Sequence, residues 1–158
     1  MNRKIIWLMI LTLIAGSLAG CGKGKDDVAV SPDVRTLADR LTAGLEFEDS
    51  VSEVSVDTAL RYYGISDDQV QDSVSYISTG ATSEELAVFE AVTDGDAQNI
   101  LAAMKNRRDS QIQVYLDYKP DEVDRLDNAV LYVHGKFVVY VVSDDSDKAQ
   151  SIISGYLE

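Results

Sequence analysis

The chain has 158 residues, with 14 Lys+Arg against 27 Asp+Glu and a formal net charge of −13. A chain this acidic, with no basic run to neutralise phosphates, argues against DNA or RNA as a partner. At 46% hydrophobic and 26% charged, with 2 prolines and 1 cysteine, it is neither collagen-like, nor a disulfide scaffold, nor a multi-pass membrane protein.

The first 21 residues fall into three zones: a basic start at Arg3 and Lys4, an apolar run from Ile5 to Ile14, and a small-residue end from Ala15 to Cys21. That is the layout of a secretory signal, and its apolar run of about ten residues is well short of the roughly 20 a helix needs to span a bilayer. The string Leu18-Ala19-Gly20-Cys21 resembles a bacterial lipobox. In that motif the cysteine thiol accepts a diacylglyceryl group and cleavage before it makes it the new N-terminus. The small residues let the backbone enter a protease groove, and the single cysteine of the chain stands where the motif needs it. Residues 1–20 are therefore expected to be a lipoprotein signal peptide and Cys21 the lipidated residue. Acyl chains contribute about 0.8 kcal/mol per buried methylene, so two of them hold a protein on the membrane. Gly22 to Asp27 is polar and glycine-containing, and residues 21–30 read as a flexible tether with a reach of roughly 15–20 Å. Residues 31–158 read as one extracytoplasmic domain.

Ser31-Pro32 is expected to open a first helix, with Val34, Leu37, Ala38, Leu41 and Leu45 at helical spacing. A second helix from Val56 to Tyr63 is closed by Gly64. Val74 to Thr79 and Leu86 to Val92 read as a strand pair, and Asp94-Gly95-Asp96 breaks the run before a long helix over 96–116. Asn128 to Val133 and Lys136 to Ser143 are β-branched and aromatic, with His134-Gly135 between them as a hairpin loop. Lys136 to Val142 is apolar on both faces, as in a central strand. Asp144 to Tyr156 closes the chain as a helix. The expected fold is α+β: a four-stranded antiparallel sheet in ββαββα order, with helices packed on one side, preceded by two N-terminal helices.

In the long helix, Ala97, Ile100, Leu101, Met104, Ile112 and Tyr115 cluster on one face at 100° per residue, and Arg108 and Gln111 fall inside the same arc. An arginine in a core-facing stripe needs a partner, because an unpaired buried charge is very costly. Glu84 and Glu85, at the head of a strand this helix should cover, are the nearest carboxylates in the topology, with Glu85 the favoured partner. Two readings stay open: a structural ion pair, or an Arg108 that faces a pocket and binds an anionic ligand.

No catalytic set stands out. His134 reads as a turn residue. Asp94-x-Asp96 begins like a calcium loop but has Asn99 at its sixth position and Lys105 at its twelfth, so helix capping accounts for it better. No cofactor or metal is implied.

Three strings together resemble a family of short Gram-positive lipoproteins of clostridial-type Firmicutes, whose domain has no assigned function. They are Glu84 to Phe89; Arg108 with Gln111, Tyr115 and Tyr118 before Pro120; and Val130 to Val142 around Gly135. The resemblance covers about residues 50–155. It implies a membrane-surface location and draws attention to Glu85 and Arg108, but supplies no reaction. The sequence thus reads as a membrane-anchored, non-catalytic binding or adaptor module facing outside the cytoplasm, with an envelope protein as partner. The alternative is a receptor for a small anion or other small ligand, using a pocket near Arg108.

Overall fold

The computed structural model describes residues 31–158. The expected signal peptide, the expected tether and Cys21 lie outside the described residues. Helix α1, Val34–Gly44, buries Val34, Leu37, Ala38 and Leu41 at helical spacing. Its cap is Asp33 rather than the expected Ser31: the carboxylate accepts from the Thr36 amide at 2.8 Å, so Pro32 precedes the cap instead of opening the first turn. Strand β1, Val51–Val54, follows, then α2, Val56–Tyr63, capped by Ser55 and closed by Gly64 in the left-handed region at φ 69°.

A 3-10 turn at Asp67–Gln69 leads into β2, Val70–Ser78, and β3, Glu85–Ala91. Helix α3, Asp94–Tyr118, is capped by Thr93 and is longer than the apolar spacing suggests. Helix α4, Asp121–Asp127, fills what reads in sequence as a connection. Strands β4, Val130–His134, and β5, Phe137–Val142, form the second hairpin, and α5, Ser146–Leu157, ends the chain. The β4–β5 loop is Gly135-Lys136, one residue later than expected, since His134 pairs with Phe137. Gly135 at φ 54° supplies the positive φ that a type II′ turn wants at its first central position.

The mixed α+β fold and the antiparallel pairing agree with the sequence reading, but the sheet has five strands rather than four, in the order β1-β2-β3-β5-β4. The fifth strand is β1, whose four residues Val51-Ser52-Glu53-Val54 carry too little apolar alternation to stand out. Helices also cover both faces, not one. Strand alternation sends Leu86, Val88, Val139 and Val141 to a core closed by α1 and α5, and Ala87, Phe89, Val138 and Tyr140 to a core closed by α2, α3 and α4. The two apolar faces read in β5 therefore require two helical layers. A fully buried Leu or Val contributes roughly 1.5–3 kcal/mol, and both layers contain several.

Candidate functional site

The chemistry collects at the end of the sheet where β3 begins. Glu84 and Glu85 are 1% and 3% exposed, and because neighbours along an extended chain point to opposite faces, they enter different surroundings. Glu84 reaches the loop after α1. It accepts from the amides of Glu48 and Asp49, both at 2.8 Å, and from the Thr82 hydroxyl at 2.9 Å. Among the described residues it has no cationic partner, and it fastens the 45–50 loop with neutral donors, each satisfied bond offsetting part of the cost of burying the charge.

Glu85 faces α3, where Arg107 donates from Nη2 to its Oε2 at 3.1 Å. The Arg107 guanidinium also lies 3.7 Å from the centroid of the Tyr62 ring, on α2. Burial pushes the Glu85 carboxyl above its ordinary value, although Arg107 and Tyr63 act to lower it. Burial acts to lower the Arg107 value, but Glu85 overcomes it and raises it. The pair is incompletely satisfied: Glu85 Oε1, Arg107 Nε and the hydroxyls of Tyr63 and Tyr140 are all buried without a hydrogen-bond partner. Burial, reinforced by the Glu85 charge, raises both tyrosines above their ordinary value.

The expectation for Arg108 is corrected here. Arg107, not Arg108, meets Glu85. Arg108 donates to Asp109 Oδ1 at 2.9 and 2.7 Å, and its side chain is 29% exposed against 13% for Arg107. The helical arc places both arginines beside the apolar stripe. The structure separates them because α2 packs on the Arg107 flank of α3, with the Tyr62 ring as a lid, and widens the buried arc on that side. Among the described residues Glu84 takes part in no ion pair and accepts only from amides and a hydroxyl. Gln111 is half-buried and, with Tyr62, Glu85, Arg107 and Tyr115, lines a cavity of about 70 Å³.

A third buried carboxylate, Glu122 on α4, is 2% exposed and escapes the helical-stripe argument. It accepts from the amide and hydroxyl of Ser83, both at 2.8 Å, and is bonded by Lys119 at 2.8 Å and by Arg125. Arg125 extends to Glu48 at 2.9 Å and Asp144 at 2.8 Å. Burial alone would raise the Glu122 carboxyl, but Lys119, Ser83 and Arg125 together bring it down to about 2. The sequence signal was available: cations three residues to either side of one glutamate, Lys119-x-x-Glu122-x-x-Arg125. Tyr115 completes this corner, donating its hydroxyl to the Thr82 carbonyl at 2.6 Å.

Beside the Tyr62–Arg107 stack, a groove of about 430 Å³ runs between α2 and α3, bordered by Arg61, Tyr62, Gly64, Asn106, Arg107 and Ser110. Its volume falls in the range of small-ligand sites. Glu84 and Glu122 are thus tied down as fasteners of loops, whereas Arg107 is held in a fixed orientation at the wall of an open groove.

Residues 44–143 match a family described as a domain of unknown function, DUF4358. No curated protein and no solved structure matches the chain. The matched segment contains all five strands together with α2, α3 and α4, and with them Glu84, Glu85, Arg107 and Glu122. The chain belongs to the DUF4358 family.

Proposed function

We propose that this protein is a lipid-anchored, extracytoplasmic, non-catalytic binding module of the Gram-positive lipoprotein kind, attached to the membrane through Cys21. The observation that carries the location is Leu18-Ala19-Gly20-Cys21 behind a ten-residue apolar run, with the chain's single cysteine at the acceptor position. A binding role is supported by the surface of α3 beyond the end of α2. There Val114 and Tyr118, one helical turn apart, are 56% and 70% exposed. Exposed large apolar side chains on one helix face are the usual material of a protein contact, and an envelope protein is the partner this reading names.

A second reading, a receptor for a small anion, is favoured by one observation: the α2–α3 groove, whose wall is a guanidinium already oriented by Tyr62 and Glu85. It replaces the Arg108 pocket of the sequence reading with one at Arg107.

Growth of the producing cells with labelled palmitate tests the anchoring. The full chain is expected to carry the label and Cys21→Ser to carry none and to stay uncleaved. Recovery of an unlabelled wild-type form cleaved at another position would contradict the reading.

A further inference from the structure

Charge separates the α2–α3 groove from two acidic depressions, a property it shares with a depression between α1 and α5 bordered by Arg40 and Lys148. One depression beside α4 is bordered by Asp121, Asp124 and Asp144 with Arg125, and another by Glu46, Asp144 and Asp145 with Lys148. In a chain with nearly twice as many acids as bases, the α2–α3 groove is bordered by two arginines and no carboxylate. Arg61, in the last turn of α2, takes part in none of the salt bridges among the described residues. Among the described residues, Arg107 makes its one hydrogen bond from Nη2 to Glu85, which leaves Nη1 uncommitted there. The carbonyl of Leu60, which would repel an anion at the end of α2, is already taken by the amides of Gly64 and Ile65.

We propose that this groove binds a phosphate-bearing ligand between the guanidinium groups of Arg61 and Arg107. The inference rests on the receptor reading above and names its ligand class. Two guanidinium groups contributed by different helices suit a tetrahedral phosphate, which offers oxygens in several directions, better than a planar carboxylate, which offers two in one plane. Arg107 is pinned by the Tyr62 ring and by Glu85, so little side-chain freedom is lost when it takes a ligand. With Glu85 ionised, the two arginines leave one positive charge, matching a phosphate monoanion or a phosphodiester. The overall negative charge of the chain opposes anions at long range, but screening confines that effect to about 8 Å at physiological salt. The phosphate could be free or part of a lipid headgroup, and the two sources share this chemistry.

The test is an NMR titration of the full chain in neutral detergent micelles at constant ionic strength. The probes are inorganic phosphate, glycerol phosphate as the soluble part of a headgroup, and acetate, read at the amides of residues 60–64 and 103–110. Inorganic phosphate or glycerol phosphate is expected to shift these amides saturably, and whichever binds tighter identifies the source. Arg61→Gln, an exposed position without a salt bridge, is expected to weaken that binding about tenfold or more, as loss of one charged hydrogen bond predicts. The absence of a saturable shift with either phosphate compound, or a shift that Arg61→Gln leaves unchanged, would overturn the proposal. Acetate binding without phosphate binding would overturn the ligand class while leaving an anion receptor standing. Silence from all three probes would remove both.

Discussion

The two faces of the sheet solve burial differently. The α1–α5 face is closed by aliphatic side chains: Leu37, Leu41, Leu86, Val88, Val139, Val141 and Ile153 are all at most 1% exposed. The α2–α3 face is also deeply buried, but it contains Tyr63, Tyr115 and Tyr140 and borders Glu85 and Arg107. Among the described residues, six of the seven buried side-chain atoms without partners lie on that face: the hydroxyls of Tyr63, Ser73, Ser75 and Tyr140, with Glu85 Oε1 and Arg107 Nε. Stability alone does not call for such a core, since buried ion pairs replaced by apolar residues of similar volume are often neutral or stabilising. The α1–α5 layer thus has an aliphatic core, and the α2–α3 layer carries a charged pair at its border. The matched family segment is weighted towards the α2–α3 layer, because it includes α2 and α3 and leaves out α5 and nearly all of α1.

The largest expected effect comes from removing the cation on the polar face. Arg107→Ala should destabilise the domain by about 3–5 kcal/mol in denaturant titrations near neutral pH, because Glu85 is left buried without its partner. Acidification should restore part of the loss by protonating Glu85. The pair replacement Glu85→Leu with Arg107→Met should, by contrast, be neutral or stabilising, making this face resemble the other.

Next in size is Glu84→Gln. The amide nitrogen it introduces cannot accept from the Glu48 or Asp49 amides, so one buried donor loses its partner at a cost of about 1–3 kcal/mol. The loss should appear first as faster amide exchange in residues 48 and 49.

The third test uses pH, and the two buried carboxylates on this side of the molecule have opposite signs. Glu122 has its folded value lowered from 4.5 to about 2, so its stabilisation is present above about 4.5 and is lost as pH falls towards 2. Glu85 has its folded value raised, so its contribution is present below its unfolded value and is lost as pH rises through the folded one. In stability measured against pH, Glu122→Gln should flatten the acid limb, and Glu85→Gln should remove a decline on the other side of 4.5.

The smallest effect is expected at Arg108. Its partner is its exposed neighbour Asp109, and such surface pairs contribute about 0–1 kcal/mol. Arg108→Ala should therefore shift the unfolding midpoint little, where a structural Arg108–Glu85 pair would have made it costly.

That reversal shows how far the residues could be read without coordinates. Val34 to Leu41, Leu86 to Ala91 and Phe137 to Val142 announce themselves, because strong periodicity or unbroken apolar runs leave one economical use for them. The need for an arginine–glutamate contact between α3 and the head of β3 was also legible, as was Glu85 as its acid. Which arginine makes the contact was not, since adjacent residues on a helix differ by only 100° and the choice depends on Tyr62 of α2, 45 residues earlier, whose packing leaves no local trace. Strand β1 was lost because two of its four residues are Ser and Glu. The second helical layer is hidden for a different reason: the two-sided apolar pattern of β5 marks a central strand but does not say which elements cover each face.

The central claim is that α3 presents Arg107, held by Glu85, at the groove wall, and a double-mutant cycle tests it most directly. Stabilities of Glu85→Gln, Arg107→Gln, Arg108→Gln and the two double variants with Glu85→Gln give two coupling energies from one set of denaturation curves. The structure predicts a coupling of about 1 kcal/mol or more between Glu85 and Arg107, and one near zero between Glu85 and Arg108. Comparable coupling to both arginines, or coupling to Arg108 alone, would contradict the account.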